Sequence, residues 1–99
     1  MRKIENEMLY AVRSRKNWHS SNTEVRIGDC GNWCKVYLHG NLIYTHCLES
    51  GERKFTLAGW NTPTTRSHLR ALGVNVVQRN FTPYYNGEEI SSYKWYFVK

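Results

Sequence analysis

The chain has 99 residues, 40% hydrophobic and 14% aromatic, enough apolar material for one core without disulfides or metals and too much for a disordered chain. Lysine plus arginine outnumber aspartate plus glutamate 14 to 8, a formal charge of +6 that favours polyanionic partners through long-range attraction. No run approaches the ~20 apolar residues of a membrane span, and MRKIENEMLYAVRSRK breaks its apolar positions with charges where a signal peptide would keep them continuous.

A first helix is predicted over about 3–16, with Ile4, Met8, Ala11 and Val12 at helical spacing and Leu9 beside them. Glu5, Glu7, Arg13, Arg15 and Lys16 fall on its other faces, acidic early and basic late, which complements the helix dipole. NWHSSNT then breaks the pattern. Between 23 and 58 the sequence turns to Val, Ile, Tyr, Phe and Thr, punctuated by GDCGNWC, HGN and ESGE, which predicts three antiparallel strands. Within KVYLHGNLIYTHCL, Gly40 and Asn41 supply the backbone freedom of a tight hairpin.

GWNTPTTRSHLRALG predicts a second helix. Thr62 can cap it, Pro63 suits a first position that needs no amide hydrogen, and Gly73 suits its end. Leu69 and Leu72 face the core, Arg66 and Arg70 share another face, and Trp60 reads as an anchor at the entry to the helix. VNVVQRNF and SSYKWYFVK then predict a terminal hairpin across TPYYNGEE, with a turn at Asn86-Gly87. The expectation is a single α+β domain over 1–99, of order α-β-β-β-α-β-β. Its antiparallel sheet of about five strands carries both helices on one face.

Candidate chemistry is sparse. Arg66, His68 and Arg70 on the second helix, with Arg13, Arg15 and Lys16 closing the first, are the residues expected to contact nucleic-acid phosphates, since arginine forms forked bonds to phosphate oxygens. Aromatic residues interleave with cations in KNWH, RNFTPYY and YKWYFVK, a pattern that stacks on unpaired bases when it is exposed and packs when it is not. Cys30, Cys34 and Cys47 form an odd set suited to reduced thiols. The C-x3-C spacing lacks a matching pair, and His46 and Cys47, adjacent in a strand, point to opposite faces, so no metal or cofactor is expected. His19, His39, His46 and His68 have no nucleophile or carboxylate beside them in sequence. A hydrolase or nuclease would need such groups to converge in one cleft, so the expectation is a non-enzymatic protein.

NWHSSNTEV, VYLHGNLI and LAGWNTPTTRSHLRAL, carrying the patterns NT-x-V, V-x-L-H-G-N and G-W-N-T-x-T-T-R-S, resemble a family of small proteins of tailed bacteriophages and prophages over about residues 4–72. The resemblance implies a phage accessory protein acting in the cytoplasm of the infected bacterial host. It supplies no residue roles. With the charge, it leads to an expectation of DNA or RNA binding. The alternative is an inhibitor of a host protein or anti-phage defence complex, anchored by exposed Trp and Tyr. The order helix, three strands, helix also occurs in double-stranded RNA-binding domains, whose helices sit differently.

Overall fold

The computed structural model describes residues 2–28 and 31–99. It has two helices, α1 (Lys3–Ser14) and α2 (Pro63–Ala71), and nine strands. Six of them, β1 (Trp18–Ser20), β2 (Thr23–Ile27), β3 (Trp33–Leu38), β4 (Asn41–Cys47), β5 (Arg53–Phe55) and β9 (Tyr96–Phe97), form one antiparallel sheet in that spatial order. The others, β6 (Val76–Arg79), β7 (Thr82–Tyr85) and β8 (Glu88–Glu89), form a small second sheet.

The α+β class and the alternation of helices and strands are as expected, and the strand count is higher. WHS, read as a break, pairs with β2 as the edge strand β1. The 23–58 region gives four strands rather than three, because ESGE separates β5 from β4. The predicted terminal hairpin splits. Asn86-Gly87 does form a turn, but it joins β7 to the two-residue β8, and β9 crosses to pair with β5. That long-range pairing leaves no periodic trace in sequence.

Alternation along β3 decides which face is covered. Cys34, Val36 and Leu38 are buried, while Trp33, Lys35 and Tyr37 point the other way. The core row runs Val25, Val36, Tyr44, Phe55 across four strands, and α1 and α2 close over it against each other. Between the pairs Val36 to Tyr44 and Tyr37 to Leu42 the register shifts, leaving Ile43 as an extra residue on β4. This bulge lets Ile43 and Tyr44 both bury, although they are neighbours in a strand.

Three two-residue hairpins place both corner residues in left-handed backbone, one of them at Asn86-Gly87 (φ 49° and 84°). In the β3–β4 turn the corner is His39-Gly40 (φ 52° and 76°), one residue earlier than the predicted Gly40-Asn41, because Asn41 already pairs with Leu38. In the β6–β7 turn it is Asn80-Phe81 (φ 48° and 66°), where glycine is the ordinary second residue. Phe81 is 91% exposed, so no packing offsets that strain. Phe81→Gly is expected to raise the unfolding free energy by about 1 kcal/mol in denaturant melts. A loss of stability would mean that the ring makes a compensating contact.

Candidate nucleic-acid interface

The six predicted contact residues do not form one patch. Arg66 and Arg70 are drawn into local structure. Arg66 donates to the Asn61 carbonyl (3.1 Å) and side chain and to Gln78 Oε1 (2.8 Å), and Arg70 donates to the Val76 carbonyl (3.0 Å). Arg66 thereby ties α2 to its preceding loop and to β6, and Arg70 ties it to β6. Arg13, Arg15 and Lys16 are exposed at the carboxyl end of α1, where Arg15 adopts the left-handed cap and Lys16 lies over the Tyr10 ring. That end is remote from the contact α1 makes with α2.

His68 is a correction: at 1% exposed it cannot meet a phosphate. Its Nδ1 lies 2.9 Å from Glu5 Oε2 and its Nε2 2.9 Å from Thr23 Oγ1, and Ser67 donates its hydroxyl to the same Glu5 oxygen at 2.6 Å. Burial outweighs the attraction of Glu5 and holds the His68 imidazole below its usual range. For Glu5, burial pushes upward, but the Ser67 hydroxyl, the Arg2 amide and His68 outweigh it and keep the carboxyl low. His68 is thus neutral, donating from Nδ1 to a carboxylate, with Nε2 beside the Thr23 hydroxyl. Glu5, placed on a polar face by its charge, is a core residue. Its spacing to Met8 and Val12 carried that signal, as did the spacing of Thr65, His68, Leu69 and Leu72 on α2.

Trp60 does not anchor the helix. It is 60% exposed and lines a cleft of about 510 Å³ floored by Leu38, Ile43 and Leu57. Cys34 sits opposite His46 on β4, while Cys47 pairs with Trp33 on the other face, and burial pushes the Cys34 thiol up to about 11. Cys30 lies outside the described residues. Among the described residues no three His, Cys, Asp or Glu side chains stand where they could hold a metal ion.

The surface with a coherent chemistry is the sheet face that the helices leave open. Cross-strand pairing aligns Arg26, Lys35, Thr45, Lys54 and Phe97 in one row. Glu24, Tyr37 and Leu42 form the next, with His19 opposite Glu24 at its end, and Trp33 stands on the same side of β3. The Arg26 guanidinium lies 5.3 Å from the Tyr37 ring and Lys54 Nζ lies 5.0 Å from the Phe97 ring. Arg26 is paired with Glu24, and Lys54 with Glu52 at 3.4 Å. Three cations and three aromatic rings thus share one solvent-facing surface. Sequence alternation places Trp33, Lys35 and Tyr37 on one side but does not reveal which side the helices cover.

The molecule is an α+β domain with an open-faced antiparallel sheet and no helix, among the described residues, long and apolar enough to cross a membrane. It belongs to the Kyanoviridae Gp96 protein family, a phage family whose model matches residues 1–98. No curated protein and no solved structure matches it.

Proposed function

We propose that this phage protein binds single-stranded nucleic acid across the open face of its six-stranded sheet. The observation that carries this reading is the coincidence of Trp33, Tyr37 and Phe97 with Arg26, Lys35 and Lys54 on that face. Rings on a sheet surface can stack on unpaired bases of any identity, and cations between them meet the backbone. A duplex keeps its bases stacked on each other, so single strands are preferred. The net charge of +6 adds attraction at a distance.

Fluorescence anisotropy with single-stranded and duplex DNA and RNA at two salt concentrations tests it. Affinity for single strands is expected to fall steeply with salt, because each neutralised phosphate releases counterions. Lys35→Ala and Lys54→Ala should each lower the salt slope by about one. Trp33→Ala should weaken binding by about 1–3 kcal/mol and leave the slope alone. No binding at low salt, or equal loss from substitutions at Arg13 and Arg15, would remove the sheet face from consideration.

One observation favours the second reading, docking on a host protein: Phe81 is displayed at a strained turn with almost its whole ring in solvent. A stoichiometric protein captured from nuclease-treated bacterial lysate and lost with Phe81→Gly would support it.

A further inference from the structure

Residues 57–60 form a tight turn that fixes the backbone of an exposed ring. Trp60 donates its amide to the Leu57 carbonyl at 2.8 Å, and the corner residues Ala58 and Gly59 are both left-handed (φ 53° and 79°). Leu57 is fully buried at one end of the turn, and at the other the Trp60 carbonyl accepts the Thr62 amide at 2.9 Å. A side chain on Gly59 would meet the Tyr93 ring at 3.0 Å, so that ring packs directly on the turn. The Trp60 backbone is therefore held from both ends and from above, while its indole stays 60% exposed. Ala58 is strained in left-handed backbone, and strain that serves only to hold out a solvent-facing ring points to a use for the ring.

The indole lines the cleft floored by Leu38, Ile43 and Leu57, whose volume of about 510 Å³ falls within the roughly 300–1,000 Å³ of small-ligand pockets. Among the described residues, that lining holds no Lys, Arg, Asp or Glu side chain. Hydroxyls supply its polarity instead. Thr62 and Thr65, both in the lining, share one bond at 2.9 Å, so whichever donates, the other keeps its proton. Thr64 Oγ1 accepts from the Arg2 guanidinium at 3.5 Å, which sets an exposed cation at the rim of the uncharged cleft. A flat, neutral ring with polar edges that carries an anion outside it suits all of these features, and a nucleotide is such a molecule.

The cleft also adjoins the open face. His39 lines it, and His39 lines a shallower pocket with Asn22 and Glu24 as well. Glu24 stands opposite Tyr37 in the second row of that face. One residue at the β3–β4 corner thus borders both the aromatic and basic rows and the cleft. We propose that the cleft takes one unpaired base of a single strand held on the open face, the base turning over the His39 corner; the inference rests on that face holding single strands. The base lies against Trp60 and the apolar floor, its edge accepts from threonine hydroxyls, and the adjoining phosphate meets Arg2. A base in a duplex cannot enter without leaving its pair and its stack. The cleft therefore gives the strand a fixed position on a face whose other contacts are the same for every base.

The test binds the full chain to single-stranded oligonucleotides in which iodouracil replaces one base at a time, irradiates them and locates the adducts by mass spectrometry. An adduct on Trp60, with adducts on Trp33 or Tyr37 from other positions of the same strand, is the expected result. Trp60→Ala should weaken single-strand binding by about 10-fold and leave the salt slope alone, and Arg2→Ala should lower the slope by about one. Both residues are exposed, so neither change removes a core side chain. Thr64→Leu, which narrows the cleft with Trp60 in place, should lower the yield of the Trp60 adduct and not of the others; unchanged yields overturn the inference. Adducts on Trp33 and Tyr37 with none on Trp60 overturn it and leave the open-face reading standing. A strand that neither binds nor crosslinks overturns both. A Trp60 adduct formed as readily from the free mononucleotide overturns it in favour of a small-molecule site. A host protein captured through Trp60 from nuclease-treated lysate, with no base crosslinked there, overturns it in favour of a protein partner.

Discussion

Glu5→Ala is expected to lower the unfolding free energy by about 3–5 kcal/mol, a large share of the stability of a domain this size. The carboxylate is the only side chain bonded to His68 Nδ1 among the described residues, and Ser67 donates to it as well. Its removal leaves the buried His68 Nδ1–H unpaired beside a cavity and takes the acceptor from the half-buried Ser67 hydroxyl, and an unsatisfied buried group costs about 1–3 kcal/mol. No buried side-chain polar atom among the described residues lacks a partner at present, so the network has nothing spare to rearrange. Glu5→Gln should lose less, because its amide oxygen can still accept from His68. The sign with pH follows from the two shifts. Both groups are held below their ordinary values in the folded chain, so the unfolded chain binds protons first as pH falls. Stability is therefore full near neutrality and declines with acid, first through the His68 range below 6.5 and then through the Glu5 range below 4.5. Urea melts of the wild type and His68→Gln at neutral and acidic pH check it. A wild type no less stable in acid would sink the neutral-histidine assignment.

The second large effect belongs to Phe55. Phe55→Ala should cost about 3–5 kcal/mol, because a fully buried ring is replaced by a cavity. The consequence is regional as well as global. The Phe55 ring meets Tyr85 of β7 edge-on at 4.9 Å and stacks on Tyr96 of β9 at 5.7 Å. It is thus one point at which the small sheet and the last strand attach to the main sheet. Hydrogen exchange of the variant should show residues 76–97 opening well before β2, β3 and β4. Uniform loss of protection would mean that the small sheet has other sufficient contacts.

Where the sequence was legible, the information was local. Thr62 accepts from the Thr65 amide at 3.2 Å, Pro63 begins α2, and Gly73 lies just past its end at a φ of 88°, all as the residue chemistry requires. What was lost depended on contacts between distant segments. Charge placed Glu5 and His68 outside, and only the facing of α1 against α2 makes them partners. Arg66 and Arg70 looked free because Gln78 and the Val76 carbonyl come from a later strand. Alternation in YKWYFVK separated Tyr96 and Val98 from Trp95 and Phe97, and it took the β5 pairing to show which pair turns inward. The open face was equally invisible, since uncovered surface is a property of the whole assembly.

The Glu5–His68 bond also sets an order of events during synthesis. Its two ends are 63 residues apart, and Thr23 is 45 residues from His68, whereas the β2, β3 and β4 pairings close over short loops. The meander can therefore assemble while the ribosome is still translating the second half of the chain. The first helix, although made earliest and able to meet β1 and β2, has no side-chain partner for its buried carboxylate until residues 67 and 68 have emerged, so its docking is completed only then. Nascent chains truncated before α2 should present that helix to proteases, and longer ones should conceal it.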